Sequence, residues 1–288
     1  MKDILSLLVF SLITNFIIAQ NTILWSINKV NSEKVAYIIG TFHQMGNSFI
    51  DEKPLIKELL SKCELAIFES VEDKNEKIIT VMLNRTDDFS YKEFLYKEDI
   101  DFLENYTKNW KVPLSKHKPG ELIVKLQQEY IKESCGTIKP TDTSYHMDDY
   151  LMSIAEKQNI KVLGLETYSN QFDAINIVNG EELTWKKTKN IIHQVINNFK
   201  DDKNQKKICA SAKAYMEMKF NYQFKVKCAD SDGILSKRNE KWIPTIINSI
   251  EQNNSVFIAV GMLHLYGECG IISQLKKNGY EVTTLKLK

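Results

Sequence analysis

The hydrophobic positions of this chain change their spacing several times, and each change marks a predicted element. Thr22 to Ile27 and Val35 to Ile39 form short β segments around the polar run Asn31-Ser32-Glu33-Lys34, which predicts a hairpin. A helix follows from Pro54 to about Leu60, with proline in its first turn, and Leu65 to Phe68 then form a buried strand that ends at Glu69. From about Asn75 to Glu133 apolar residues recur at helical spacing, as in Phe94, Leu95, Phe102, Leu103 and Tyr106, and again in Leu122, Ile123 and Leu126. Pro113, Pro119 and Gly120 punctuate that stretch. An amphipathic helix over about Met147 to Lys157 leads into a strand, Lys161 to Leu165, ending at Glu166, and long helices fill most of Ser169 to Asn253. The last unit is a strand (Val256 to Val260), a loop with His264, a helix (Ile271 to Lys277), an Asn278-Gly279 turn and a strand (Glu281 to Leu285).

This alternation predicts an α/β fold, a mixed central sheet covered by helices with large helical insertions over about 75–134 and 169–253. It also predicts two related halves. The first runs a strand into Gly40-Thr41-Phe42-His43 and another into Glu69. The second runs a strand into Glu166 and another into Gly261-Met262-Leu263-His264. Each half thus brings one histidine and one glutamate to the end of an apolar strand, where α/β sheets place their ligands.

The N-terminus adds a destination. Met1-Lys2-Asp3 precedes an apolar run from Ile4 to Ala19 that is short and interrupted by Ser6, Ser11, Thr14 and Asn15. That is the pattern of a signal peptide over 1–19, with a retained anchor as the alternative and the only expected membrane contact. The expectation is export to a periplasmic, secreted or outer-surface location, with 20–288 as a single α/β domain. The formal net charge of +1, with Lys and Glu mixed along the chain, argues against a nucleic-acid partner, which would draw a basic stripe. Five cysteines, Cys63, Cys135, Cys209, Cys228 and Cys269, leave at least one thiol free or paired between chains. Cys209 and Cys228, the closest pair in sequence, are the expected clip of a helical hairpin. No zinc pattern such as paired Cys-x-x-Cys occurs.

The candidate chemistry starts with His43 and His264. A neutral imidazole can ligate a metal or act as a base near pH 7, and the preceding Gly allows a sharp turn or a close backbone approach. Either histidine alone reads more readily as a satisfied core or loop residue; the repeated context favours function for the pair. Glu69 and Glu166 at strand ends cost free energy unless paired, hydrogen-bonded or bound to a cation, so each could join a metal site or serve as general base; a helix N-terminal acid or an ion pair is the plainer reading. Arg238 and Asn239 fall in a charged helical run whose default is a solvated face, but Arg could grip a carboxylate and Asn add an oxyanion donor. His117, His146 and His193 have no recurring context and read as structural or surface residues. No Gly-x-Ser-x-Gly elbow, phosphate loop, dinucleotide fingerprint or His-Glu-x-x-His helix is present.

Taken together, Ile39-Gly40-Thr41-Phe42-His43, Phe68-Glu69, Met147-Asp148-Asp149-Tyr150-Leu151, Gly164-Leu165-Glu166-Thr167, Gln171, Arg238-Asn239 and Val260-Gly261-Met262-Leu263-His264-Leu265-Tyr266-Gly267 resemble the TraB/GumN family, which includes the Tiki-type metalloproteases and is distantly related to the erythromycin esterase and ChaN-like proteins. The resemblance spans essentially the whole mature chain. It implies a site with His43, Glu69 and His264 at its core and as metal ligands, supported by Glu166, Arg238 and Asn239, and metal-dependent peptide-bond hydrolysis with manganese or cobalt.

The expectation is therefore an exported hydrolase, a peptidase-like enzyme acting on a peptide or small-molecule substrate, with His43, Glu69, His264, Glu166 and Arg238 catalytic, His43, Glu69 and His264 holding the divalent metal, and Asn239 and Gln171 contacting substrate. Two other readings need the same polar cluster. One is a protein that sequesters a peptide or small ligand without cleaving it; the other is a metal-free ester or amide hydrolase.

Overall fold

A computed structural model describes residues 22–71, 74–178, 180–228 and 233–287. Its strands are β1 (Leu24–Lys29), β2 (Val35–Thr41), β3 (Leu65–Phe68), β4 (Lys161–Gly164), the two-residue pair β5 (Ile177–Val178) and β6 (Glu181–Glu182), β7 (Ser255–Gly261) and β8 (Tyr280–Thr284). Six of them form one sheet in the order β4-β3-β7-β2-β1-β8. Four consecutive strands, β4, β3, β7 and β2, are parallel, while β1 runs antiparallel to both neighbours and makes the sheet mixed. Parallel strands covered on both faces read as continuous apolar runs, which is how Leu65-Ala66-Ile67-Phe68 and Val256-Phe257-Ile258-Ala259-Val260 appear.

Alternate residues feed two cores. Ile27, Ile38, Ile67 and Ile258 pack with Trp242, Ile246 and Ile272 from the helices Gly233–Gln252 and Ile271–Lys277. Leu24, Ile39, Ala66, Phe68 and Phe257 face the other way, onto Ile56 of Pro54–Ser61 and Met147 and Leu151 of Met147–Lys157. A third cluster, around Leu103, Leu122, Leu126, Trp185 and Ile196, is built by the inserted helices themselves. A clamp ties the insertions together: Glu121, buried, accepts both guanidinium nitrogens of Arg85 at 2.6 and 3.0 Å and the Asn176 amide at 2.9 Å.

The expected halves interleave rather than lie side by side, because β7 from the second half inserts between β2 and β3 of the first. That insertion brings the ends of β2, β3 and β7 together. The second insertion is less continuous than expected: after Tyr168–Asn176 and Trp185–Lys200 come two short helices, Gln205–Ile208 and Ala210–Met216, and a non-helical stretch reaching Cys228. Cysteine pairing also differs from expectation. Cys209 bonds Cys135 and Cys228 bonds Cys269, so neither bridge is the expected Cys209–Cys228 clip. Sequence proximity was the wrong guide, since the end of the helix Pro119–Ser134 and the turn after β7 are each nearer in space. Cys63 remains a buried free thiol. The expected signal peptide, 1–19, lies outside the described residues; among those described, no helix is long and apolar enough to cross a membrane.

Candidate active site

In the parallel pairing of β2 with β7, Thr41 lies opposite Gly261, so the two Gly-x-x-His elements leave the sheet side by side, one residue out of step. Their environments then diverge. His43 sits in the loop after β2 with its side chain 45% exposed, whereas His264 lies in a 3-10 turn, Met262–Leu265, at 3%. Glu69, one residue past β3, is between them. The alpha hydrogen side of Gly261 marks the meeting point: a β-carbon there would lie 3.1 Å from Glu69 Oε1, 3.4 Å from His43 Nε2 and 3.8 Å from His264 Cδ2. The Gly261 backbone is in an ordinary extended conformation, so glycine serves here for close approach and not for an unusual turn.

Both imidazoles are held at Nδ1, which fixes what Nε2 can do. Asp148 Oδ2 lies 2.5 Å from His43 Nδ1, and its other oxygen accepts the Thr41 hydroxyl at 2.6 Å. Asp148 reaches this place from the first turn of Met147–Lys157. The loop between His43 and that helix is stitched down: Asn47 Oδ1 accepts from the Thr143 and Ser144 amides at 2.8 and 2.9 Å, and Asp142 accepts from Ser48 at 2.7 Å. Asp142 packs so closely on Gly46 that any β-carbon there would overlap it, at 2.0 Å.

His264 Nδ1 faces Asn239 Oδ1 at 2.6 Å. The Asn239 amide nitrogen donates to the carbonyls of His264 and Cys269 at 3.1 and 2.9 Å, which leaves its oxygen to accept. His264 Nδ1 must therefore carry the hydrogen and Nε2 the lone pair. Nε2 lies 3.7 Å from Glu69 Oε1. The Trp242 ring packs against the imidazole with centroids 4.3 Å apart.

Glu69 is pinned at both oxygens. Oε1 accepts the Gly261 amide at 2.8 Å and Oε2 the Arg238 guanidinium at 2.6 Å, with Gln171 Nε2 at 3.5 Å. Burial opposes charge on this carboxyl, but His264 and His43, once protonated in acid, and Arg238 outweigh it and hold Glu69 below the usual carboxylate range. Burial pushes His264 down to about 4, against the pull of Glu69, so at neutral pH its ring is uncharged and Arg238 is the fixed cation beside Glu69. Arg238 is itself gripped by Glu166, through Nε at 3.1 Å and Nη2 at 2.6 Å.

A cavity of about 620 Å³ opens over this cluster, with His43, Glu69, Asp148, Gln171 and Arg238 in its wall. The structure thus gathers all seven candidate residues but gives them different stations. Glu166 lies behind Arg238 and holds it. Asn239, expected against substrate, is buried with its polar atoms committed inward. His146, read as structural, lines the cavity, its Nε2 3.2 Å from the Lys132 ammonium. Gly261 makes the close approach expected of the Gly in each Gly-x-x-His element, whereas sequence gives no site signal for Trp242 and marks Asp148 only within the stretch that carries the family resemblance; an acid in a first helical turn reads as helix capping, and nothing in the spacing links position 148 to 43.

Residues 23–284 match the model of the TraB/PrgY/gumN family. The chain belongs to this family. Among curated proteins, no relative matches it. For a divalent cation, the donors at this point fit in kind: two imidazoles with Nε2 uncommitted to Asp148 or Asn239 and one carboxylate, each imidazole held from behind at Nδ1, as ligating histidines are. Among the described residues, no group of three or more His, Cys, Asp or Glu side chains meets the geometry of a metal site as it stands.

Proposed function

We propose that this TraB/PrgY/gumN protein is an exported hydrolase that cleaves peptide bonds with the help of a divalent cation, manganese or cobalt, held by His43, His264 and Glu69. The observation that carries this reading is the pair of imidazoles held at Nδ1, with Nε2 of His264 3.7 Å from the buried, ionised Glu69 and Nε2 of His43 meeting that carboxylate's Oε1 around Gly261, beside a cavity lined by His43 and Glu69. When bound, the cation would polarise the substrate carbonyl and ease ionisation of the attacking water. Asp148 and Asn239 keep the two rings in the tautomer that leaves Nε2 available. Glu69, ionised at neutral pH, would supply the anionic ligand of that cation. Arg238, kept charged and aimed by Glu166, orients Glu69 and offsets negative charge developing on the substrate oxygen. The apolar run over 4–19 and the two disulfides support an oxidising destination outside the cytoplasm.

The test is Asn239→Leu, which keeps side-chain bulk and removes the acceptor behind His264. Loss of such a supporting group should lower metal affinity and peptide cleavage by about 10- to 100-fold. Wild-type behaviour in a folded Asn239→Leu protein would count against the reading.

A second reading is favoured by Arg238, whose contact with Glu69 already supplies a positive partner to that carboxylate. His43 and Glu69 would then act directly as acid and base on an ester or amide. Cleavage that survives exhaustive chelation would select this reading.

A further inference from the structure

The cavity over Glu69 has a neighbour. A second chamber of about 540 Å³ adjoins it across a shared wall, or neck, of Ile78, Ile79, Val124, Tyr168 and Ile175 with the amide side chains of Gln128 and Gln171. Its far wall is Met82, Trp110, Val112 and Phe172, and none of His43, Glu69 or Arg238 reaches it. We propose that this chamber is a subsite for an apolar segment of the substrate, so that the substrate is an extended peptide lying with the bond to be cut over Glu69 and hydrophobic residues between the inserted helices. This proposal rests on the hydrolase reading for the position of the cut, but not for the binding of the segment.

Three features support it. The chamber shares seven wall residues with the cavity over the candidate active site, and each space alone is large enough to take a ligand group, ligand sites commonly being about 300–1,000 Å³. Both acids in its wall are matched: Glu121 is held by Arg85 and Asn176, and Glu129 by Lys125 at 2.6 Å and Lys132 at 3.4 Å, while Lys111 of the same wall is exposed. What remains to meet a ligand is chiefly apolar, so burial of hydrocarbon is the contribution the chamber can make. The neck, in contrast, offers two primary amides. Each carries donors and an acceptor, the complement of a peptide backbone and of little use to an alkyl chain.

The experiment compares a blocked tripeptide with a nonapeptide that carries the same cleavable bond followed by leucine and phenylalanine residues, using the full chain. Val112→Trp fills the chamber from its far wall. It should raise KM for the nonapeptide about tenfold, as expected for a lost apolar side-chain site, and leave the tripeptide unchanged. Equal effects on both peptides would overturn the proposal. Should Val112→Trp fail to fold, Trp110→Ala, which opens a partly exposed wall, is measured in the same way with the same expectation. If the wild type cleaves neither peptide, the hydrolase reading falls and the subsite is judged by calorimetry. Saturable nonapeptide binding weakened by the variant sustains the chamber's role; absence of binding, binding indifferent to the variant, or binding of decanoate in place of the peptide refutes it.

Discussion

Gly261→Ala isolates the meeting point of the three candidate groups more cleanly than removal of any one of them. The new methyl would sit 3.1 Å from Glu69 Oε1, tighter than ordinary carbon contacts, and 3.4 Å from His43 Nε2, at their near edge, so Glu69 must retreat by a few tenths of an ångström. Glu69 has little freedom to do so, because Arg238 holds one oxygen and the Gly261 amide the other. Backbone strain does not enter, since the Gly261 dihedrals of −53° and 137° suit alanine. Alanine also restricts the unfolded chain, worth about 0.4–1 kcal/mol in favour of the fold, which offsets much of the crowding. The expected result is a melting temperature within about 3 °C of wild type. Function should suffer far more: an ångström of misplacement can cost about 100-fold, so a few tenths with a methyl between the donors should cost at least about tenfold in cation affinity and in kcat/KM. The assay pairs a thermal melt with manganese titration and cleavage of an apolar peptide. A folded Gly261→Ala protein with undiminished cation binding and cleavage would refute the claim that Nε2 of His43 and the Glu69 carboxylate work at one point.

Away from the site, Glu121→Ala should destabilise the protein by about 3 kcal/mol in urea unfolding, because it strands the partly buried Arg85 guanidinium and the Asn176 amide; a loss below about 1 kcal/mol would mean the clamp is dispensable. Stability should also fall with acid through three buried rings. Burial lowers His117, pushes His264 down to about 4 and, with the neighbouring Lys132, pushes His146 down to about 4, whereas all three take a proton near pH 6.5 once unfolded. The unfolded chain thus binds more protons between those values, so this stability is whole above about pH 6.5 and lost as pH drops toward 4. His146→Gln should flatten the decline, seen by urea midpoints across that range, and an unchanged slope would contradict the assignment. Replacing Cys135 and Cys209 by serine opens a link across 74 residues and should cost about 4 kcal/mol in the same assay, with retention of wild-type stability as the contrary result.

Strand periodicity carried most of the fold. Buried runs such as Leu65 to Phe68 and the helix over Met147 to Lys157 stand where the apolar pattern put them, because each must cover a sheet face or be covered by one. The sheet order was beyond reach. Nothing local in Ser255 to Gly261 says that it inserts between β2 and β3, although that placement alone makes the two Gly-x-x-His elements neighbours. The same limit explains the residues that were passed over. Glu69, His43 and His264 stood out because a polar group ends an apolar strand, whereas Asp148 and Trp242 lie on amphipathic helices, where acids and aromatics are common for reasons of capping and packing. Asn239 shows the converse. Its position beside Arg238 was legible, but only the carbonyls of His264 and Cys269, contacts 25 and 30 residues away, reveal that it orients an imidazole.

The central claim is most directly tested by cleavage of a mixed peptide library with chelator-stripped protein, before and after addition of manganese, cobalt or zinc. The account predicts silence after chelation, restoration by manganese or cobalt, and no restoration in His43→Ala or His264→Ala. Cleavage that persists without metal, or that survives loss of both histidines, would contradict it.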